Sequence, residues 1–197
     1  MVITVASYKG GVGKSTTAVH LAAYLRKKAP TVLIDGDPNR SVCGWAVNGN
    51  LPFEVIPLYQ AAKLARRFEH AVIDTSARLD PEEINDLVEG CDLLVIPSTP
   101  DALSLQAVLM TTTAIGGVGA EKYKILLTII PPKPNRDGHI MRQELQSRQI
   151  PLFKTGIQRF ICYQKAALAG TPVYEVKDRR AQRAWQDYLQ LGKEILP

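Results

Sequence analysis

A glycine-rich stretch with two lysines, residues 9–16, carries the residue types that bind phosphate groups. It reads Lys-Gly-Gly-Val-Gly-Lys-Ser-Thr and directly follows a short apolar, β-branched run at residues 2–6. Glycines let backbone N–H groups approach phosphate oxygens, a lysine supplies positive charge, and a hydroxyl at a helix start can coordinate Mg²⁺. A glycine-rich turn with incidental lysines is the alternative, but it does not explain why strand, loop and amphipathic helix follow in this order.

Each residue of the stretch has an expected role toward a nucleoside triphosphate. Lys14 contacts the β and γ phosphates, Ser15 coordinates Mg²⁺, and Thr16 reaches the α phosphate. Backbone N–H groups complete the cradle at Gly10, Gly11, Val12 and Gly13. A standard Walker A motif would begin with a glycine where this chain has Tyr8, so the loop is a variant one.

Acidic residues follow two apolar, β-branched runs farther along the chain. Residues 31–35 end at Asp35, which leads into a turn that contains Asp37, and residues 71–74 end at Asp74. In an open parallel sheet, ligands bind where the strands end. The pattern predicts that Asp74 holds Mg²⁺ through water and that Asp37 acts near the γ phosphate. A cluster of turn-forming residues is the alternative for Asp37.

The Lys-Gly-Gly-x-Gly-Lys-Ser pattern at residues 9–15 resembles the deviant Walker A motif of the ParA/MinD family of dimeric ATPases. The resemblance implies that Lys9 reaches across a nucleotide-sandwiched dimer to the partner's ATP. A solvated loop lysine is the alternative for this residue. The catalytic residues implied by the resemblance are Lys9, Lys14 and Asp37.

The turn after the second apolar run, residues 35–41, resembles the family's D-x-D-P-Q-x-S switch, with Asn39 where Gln is usual. By that resemblance Asp37 positions the attacking water or transmits the nucleotide state, while Asp35 helps with Mg²⁺ or with loop geometry. The expected metal ligands are Ser15, Asp37 and Asp74.

Two proline-containing segments are expected near the nucleotide base. Residues 131–138 cannot continue a helix or a central strand, so they form a loop at the same sheet edge, where Pro131 could contact base or ribose. Gly-Thr-Pro-Val at residues 170–173 is similar to the family's adenine-contacting segment, which assigns Pro172. The Thr-Ser-Ala-Arg that follows the second aspartate departs from the family, and Arg78 in it has no assigned role.

Alternating strand and helix patterns predict one α/β domain over residues 1–197, with a doubly wound, mostly parallel sheet flanked by helices, as in P-loop NTPases of the deviant Walker A class. The expected strands are residues 2–6, 31–35, 71–74, 93–96 and 123–130, with an edge strand at 51–56 and a late strand at 152–154. Expected helices follow the phosphate loop, begin at Pro81, and cover residues 58–68, 103–113, 137–148, 160–169 and 180–195. Asp101 can cap the helix at 103–113.

Positive charge is concentrated toward the end of the chain. The net charge is +5, and from residue 150 onward eight lysines and arginines stand against four acids. An anionic partner is expected there, namely DNA held through its phosphates without base readout and released by salt. The candidate DNA-binding residues are Lys154, Arg159, Lys165, Lys177, Arg179, Arg180 and Arg183. A solvated basic face is the alternative for each of them.

Cysteine and histidine positions indicate neither a disulfide framework nor a zinc site, because the three residues of each type stand far apart. We expect the cysteines to be small buried hydrophobic residues. Hydrophobic stretches never approach the ~18 residues needed to span a bilayer, and the first strand leaves no room for a leader. Without a basic amphipathic tail, we expect no membrane partner and a cytoplasmic, nucleoid-associated protein.

The resemblance implies an ATPase with ATP and Mg²⁺ as cofactors that forms a homodimer on ATP binding and binds nonspecific DNA. It would position or segregate a carboxysome, plasmid or chromosome through a ParB-like or McdB-like adaptor. Residues 129–138 and 164–167 are similar to the McdA-type ATPases of the family, which distribute carboxysomes.

Two other functions stay open. A small-molecule P-loop enzyme, such as an ATP-dependent ligase or a reductase component, is the main alternative, although the cysteines form no convincing cluster pair. A non-catalytic nucleotide-dependent binder is the other, and Lys14, Asp37 and Asp74 argue against it.

Overall fold

One parallel β-sheet runs through the protein, whose computed structural model describes residues 1–77, 81–116 and 121–196. Within these residues the strands are β1 (Val2–Ser7), β2 (Thr31–Gly36), β3 (Glu54–Pro57), β4 (His70–Ala77), β5 (Leu93–Ser98) and β6 (Tyr123–Leu127). They lie in the order β3-β2-β4-β1-β5-β6, and every neighbouring pair is parallel. The carboxyl ends of β1, β2 and β4 therefore meet at one edge of the sheet, which brings the phosphate loop beside the two acidic strand ends.

Helices cover both faces of the sheet. They are α1 (Lys14–Arg26), α2 (Ser41–Val47), α3 (Ala61–Leu64), α4 (Pro81–Glu89), α5 (Ala102–Ile115), α6 (Asp137–Ser147), α7 (Cys162–Ala169) and α8 (Ala181–Ile195). One apolar core joins α1, α2, α7 and α8 to side chains such as Leu33 and Val72, and a second joins α4, α5 and α6 to side chains such as Leu94 and Ile125. The predicted doubly wound α/β fold is confirmed.

The helix that starts at the phosphate loop is buried on nearly all sides. Ten of the 13 residues of α1 are buried, because the helix lies between the sheet and α8. Gly192 of α8 allows the close approach, since a Cβ there would lie 2.4 Å from ring atoms of Tyr24. The phosphate loop is therefore carried by a helix that packing holds in place.

The segment after α6 runs along the outer edge of β6. Phe153 donates its N–H to the carbonyl of Ile125 at 3.0 Å, and Ile157 donates to Leu127 at 2.8 Å. These bonds occupy the carbonyl groups that an edge strand would otherwise leave free.

Regular pairing of that segment is interrupted by α8. In a regular strand the N–H of Thr155, two residues after Phe153, would donate to β6, but it donates to the Glu194 carboxylate at 2.6 Å. The N–H of Lys154 donates to the same carboxylate at 2.9 Å. The strand predicted at residues 152–154 is therefore wrong, and Leu152 makes only an isolated bridge with β6.

Two other predictions needed correction. The strand expected at residues 123–130 ends at Leu127, and the chain turns at Ile129, whose φ of 51° lies outside the β region. The helix expected at residues 58–68 is broken, because 3₁₀ turns at Leu58–Gln60 and Ala65–Arg67 flank the short α3. The remaining strands were predicted to within three residues at each end, and α2 was not predicted.

Candidate active site

The phosphate loop joins β1 to α1 in a conformation suited to anions. Gly11 and Gly13 have φ angles of 76° and 85°, which residues with a Cβ rarely adopt. Gly13 is also the N-cap of α1, so the first N–H groups of the helix, from Lys14 onward, lack intrahelical partners. Thr128 supports the loop from behind, because its hydroxyl donates to the carbonyl of Val12 at 2.7 Å.

Asp74 lies within β4, three residues before its end and not at the end as expected, in register with Val5 of β1 and Asp35 of β2. It is 0% exposed, and neither carboxylate oxygen has a hydrogen-bonding partner among the residues that the structure describes. Burial raises the pKa of Asp74 to about 7, although the Ser15 hydroxyl and the Lys14 ammonium act in the opposite direction. The Ser15 hydroxyl therefore lies near enough to lower the pKa but makes no hydrogen bond of normal geometry to Asp74. A buried carboxylate without such bonds is costly, so its surroundings fit a cation.

The donor set beside the phosphate loop fits Mg²⁺. Ser15 and Asp74 offer oxygen atoms, which this cation prefers, and Mg²⁺ usually takes its other ligands from water and nucleotide phosphates. Within residues 1–77, 81–116 and 121–196, no group of three His, Cys, Asp or Glu side chains could hold a metal ion. An all-protein cage is therefore not what these residues offer, and Asp74, which lies behind the cavity wall, suits a contact through water.

Asp35 uses its carboxylate to organise the turn that follows β2. One oxygen accepts the N–H of Asp37 at 3.1 Å, and the other accepts the N–H of Cys43 in α2 at 2.8 Å. Of the two roles left open for Asp35, these bonds favour loop geometry. Asp37 itself is half-buried, lines the cavity above the phosphate loop, and accepts hydrogen bonds from the backbone and side chain of Asn39, both at 2.9 Å.

A cavity of about 970 Å³ opens above the phosphate loop. Its floor at one end is formed by Gly10, Gly11, Gly13, Lys14, Ser15 and Thr16. Such a volume is at the upper end of the range for small-molecule sites. The structure therefore brings the predicted phosphate-binding residues and Asp37 together around one space.

The far end of the cavity was not predicted from the sequence. It is formed by Gln158 and by side chains of α7 and α8, among them Tyr163, Gln164 and Tyr188. No motif marks these residues. The available signal was positional, because Gln158 follows the segment beside β6 and so reaches the same sheet edge.

The two prolines assigned to the base lie away from the cavity lining. Ile129 and Pro132 line the cavity, whereas Pro131 does not. Pro172 is buried and is also absent from the lining. Arg78 lies outside the residues that the structure describes.

Lys9 is turned toward its own chain. Its ammonium donates to both carboxylate oxygens of Asp101 at 2.9 and 3.0 Å and to the hydroxyl of Ser104 at 2.9 Å. Asp101 is also the predicted N-cap of α5, since it accepts the N–H of Ser104 at 2.9 Å. Burial alone would raise the pKa of Asp101, but hydrogen bonds from Lys9, Thr99 and Ser104 outweigh it and hold that pKa well below its usual range.

The seven basic residues assigned to DNA do not form one surface. Arg159 lines the nucleotide-sized cavity, and Lys165 forms an ion pair with Asp178 at 2.6 Å. Lys154 adjoins Glu194, about 16 Å along α8 from Arg183 at 1.5 Å per residue. An exposed group remains around the start of α8, comprising Lys177, Arg179, Arg180 and Arg183.

The cysteines and the longest apolar segments were also assessed in the structure. Cys91 and Cys162 are buried, as predicted, whereas Cys43 is half-buried. Over the described part of the chain, no helix combines the length and the apolar character that crossing a bilayer requires.

Known proteins resemble the chain over nearly its full length. Residues 3–173 match the CobQ/CobB/MinD/ParA nucleotide binding domain. The chain is 31% identical, over 201 residues, to the maintenance of carboxysome distribution protein A of Gloeobacter kilaueensis, covering 98% of this chain and 93% of that protein.

Two solved structures have the same fold. A plasmid partition protein from Borrelia burgdorferi bound to AMPPNP has a TM-score of 0.73 at 19% identity, covering 98% of each chain. The septum site-determining protein MinD from Pyrococcus horikoshii, complexed with Mg-ADP, has a TM-score of 0.69 at 17% identity, covering 99% of this chain and 95% of that one. The six-stranded parallel sheet with flanking helices is therefore that of ParA/MinD P-loop NTPases.

Proposed function

The chain belongs to the CobQ/CobB/MinD/ParA nucleotide-binding family, and from that premise we propose that it is a Mg²⁺-dependent ATPase that dimerises around ATP. The observation that carries the proposal is the pairing of the phosphate loop with the buried Asp74, whose oxygens have no donor among the described residues. A triphosphate in the cavity would bring Mg²⁺ to that carboxylate, and the cation would remove the penalty of its burial.

The residues around the cavity would divide the work of hydrolysis. Backbone N–H groups of the loop and the ammonium of Lys14 bind the phosphate oxygens and neutralise their charge. Ser15 and, through water, Asp74 would hold Mg²⁺, which would supply further neutralisation of the phosphate charge. Asp37 lines the same cavity as the phosphate loop, which supports assigning its carboxylate to orient a water near the γ phosphate.

Lys9 is the residue we assign to the dimer. In the single chain its charge is matched by Asp101, and in the dimer we propose that it leaves this carboxylate for the phosphates of the second copy's ATP. One anionic partner replaces another, so the lysine is paired in both states. ATP binding and dimer formation would then depend on the same side chain.

We further propose that the dimer binds nonspecific DNA and positions a cargo with the help of an adaptor protein. The likeness to a carboxysome distribution protein over 98% of the chain supports a carboxysome as cargo, and a ParB-like or McdB-like protein as the adaptor. The likeness to a plasmid partition protein keeps plasmid or chromosome segregation as the second candidate. Such a protein would act in the cytoplasm, on the nucleoid.

Steady-state ATP turnover tests the ATPase proposal. Phosphate release is expected with Mg²⁺ and ATP alone, without any metabolite, and Asp37→Ala should abolish it while ATP-dependent dimers persist in sedimentation. Lys9→Ala should chiefly reduce the dimer. Equal turnover in wild type and Asp37→Ala would remove Asp37 from the mechanism, and a strict requirement for a small-molecule co-substrate would favour the ligase alternative.

Salt-dependent DNA retention tests the basic surface. The double variant Arg179→Glu, Arg180→Glu is expected to lose retention of nonspecific duplex DNA, because each removed phosphate contact weakens binding. Lys193→Glu is the control for position, since it reverses one charge near the other end of α8. Retention that ignores salt, or falls equally in both variants, would refute this surface.

A further inference from the structure

His20 lies at the centre of the packing beneath the phosphate loop. It is one helical turn after Thr16 on α1 and is 0% exposed. Its Nδ1 lies 2.6 Å from the carbonyl oxygen of Thr16, and its Nε2 lies 3.0 Å from the backbone nitrogen of Val173. The ring therefore bridges the first turn of α1 and the segment that follows α7.

Only one form of the imidazole satisfies both neighbours. The carbonyl of Thr16 can only accept, so Nδ1 must carry the hydrogen, and the N–H of Val173 can only donate, so Nε2 must be bare. Burial lowers the pKa of His20 to about 4, although the hydrogen bond to Thr16 acts in the opposite direction. The neutral ring is therefore the form present at neutral pH, and it can hold both contacts.

The same ring contacts the walls of the cavity. It stacks on Tyr188 of α8 with centroids 4.7 Å apart, and it meets Tyr163 of α7 edge-on at 5.4 Å. Both tyrosines line the far end of the cavity, whereas His20 does not. His20, a residue of the phosphate-loop helix α1, thus packs against Tyr163 of α7 and Tyr188 of α8, and both tyrosines line the cavity.

We infer that His20 is a positioning residue, which fixes the far wall of the cavity relative to the phosphate loop so that the base and the triphosphate bind to one rigid site. The inference rests on the proposed nucleotide binding. It follows from geometry, because His20 is hydrogen-bonded to the first turn of α1 and to Val173 and packs against the rings of Tyr163 and Tyr188. The hydroxyl groups of Thr17 and Tyr188, 3.3 Å apart, add a second contact between α1 and the far wall. Without this bridge, the triphosphate of a bound nucleotide would keep its contacts with the phosphate loop. Only the ribose and the base would lose contacts with the protein.

Binding of two ligands, ATP and inorganic triphosphate, each with Mg²⁺, distinguishes the phosphate-loop contacts from the far-wall contacts, because only ATP carries a ribose and a base. His20→Asn keeps a donor near the Nδ1 position but is too short to reach Val173. We expect it to weaken ATP binding about tenfold, the effect of one lost buried hydrogen bond, and to leave triphosphate binding within about twofold of wild type. His20→Gln can place an amide oxygen near the Nε2 position and should recover most of the loss.

A second variant removes the same bond from the other side. Val173→Pro deletes the N–H donor at the first position of a 3₁₀ turn, where the fixed φ of proline is tolerated. It should reproduce the selective loss of ATP affinity, and it serves if His20→Asn does not fold. His70→Asn is the control, because His70 stands at the amino end of β4, away from the cavity.

The outcomes separate this inference from the proposed function. If wild type binds neither ligand, the nucleotide site itself is refuted. If wild type binds both and the His20→Asn and Val173→Pro variants weaken both equally, or weaken neither, then His20 does not position the far wall. Selective loss of ATP affinity with recovery in His20→Gln supports the inference.

Discussion

Asp35 and Asp74 occupy paired positions on adjacent strands, yet their surroundings differ completely. Both are buried, at 4% and 0% exposure. Asp35 accepts two backbone N–H groups from the turn and helix that follow its own strand. Asp74 accepts none from the residues that the structure describes.

The difference distinguishes two uses of a buried carboxylate. Buried polar groups are nearly always hydrogen-bonded, so one without partners requires an explanation. The carboxylate of Asp35 accepts hydrogen bonds from the local backbone and therefore shapes the loop that carries Asp37. The carboxylate of Asp74 is available to a ligand, which we propose is hydrated Mg²⁺ bound together with a nucleotide. Substitutions at three residues test this contrast.

The largest expected effect is on the pH dependence of stability. The folded pKa of Asp74, about 7, lies above the unfolded value of 3.8, so the stability that its protonated form provides is present below pH 4 and is lost as pH rises through 7. Asp74→Asn carries no charge, so the nucleotide-free variant should exceed wild type by up to about 4 kcal/mol at pH 8, with the gap closing by about pH 4. Urea unfolding of both proteins across this range measures the gap.

Mg²⁺ with ADP provides the control for Asp74. Wild type should gain stability from the pair at pH 8, because binding to the folded state shifts the equilibrium, whereas Asp74→Asn should gain much less. If the free energies of unfolding of wild type and Asp74→Asn differ by the same amount from pH 4 to pH 8, burial of the ionised Asp74 carboxylate does not destabilise the folded protein.

Asp35→Ala should act in the opposite direction. It leaves the N–H groups of Asp37 and Cys43 without their charged acceptor, which should destabilise the protein by about 3 kcal/mol at neutral pH. Asp35→Asn keeps one acceptor and should lose about half as much. The midpoint of urea unfolding measures these losses of stability. An Asp35→Ala variant as stable as wild type would contradict a stabilising role for the hydrogen bonds of Asp35.

The smallest effect is expected at Asp101, a carboxylate that is bonded but largely at the surface. Asp101→Ala removes the N-cap of α5 and should destabilise the single chain by about 1 kcal/mol. Asp101→Asn keeps an acceptor for Ser104 and should cost less. Thermal or urea unfolding measures both effects. If Asp101→Ala lowers the free energy of unfolding as much as Asp35→Ala does, burial of the carboxylate does not determine the size of the effect.

The phosphate end of the site could be predicted because its signals are local. Gly11, Gly13, Lys14 and Ser15 lie within one loop, and the strands that deliver Asp37 and Asp74 are continuous apolar runs typical of buried parallel strands. Six of the seven expected strands are present, and the sheet, which was expected to be mostly parallel, is parallel at every neighbouring pair. The contrast between Asp35 and Asp74 was not predicted, since both residues follow similar apolar runs.

The remaining features depend on contacts between distant parts of the chain. Lys9 meets Asp101, 92 residues away, and Gln158 at the far cavity wall is held by Asp187 of α8, whose carboxylate accepts its N–H at 2.9 Å. Neither pairing has a periodic or motif signature. The failed strand at residues 152–154 has the same origin, because Glu194 accepts the N–H of Thr155, which a regular strand would have directed to β6.

That competition for N–H groups also affects how copies of the protein can associate. A regular last strand would offer a free ladder to which another molecule could add, which is a common route to aggregation. Here the segment beside β6 occupies the carbonyl groups of Ile125 and Leu127, and its own N–H groups at Lys154 and Thr155 are bonded to Glu194 of α8. Addition of another strand at this margin of the sheet is therefore disfavoured.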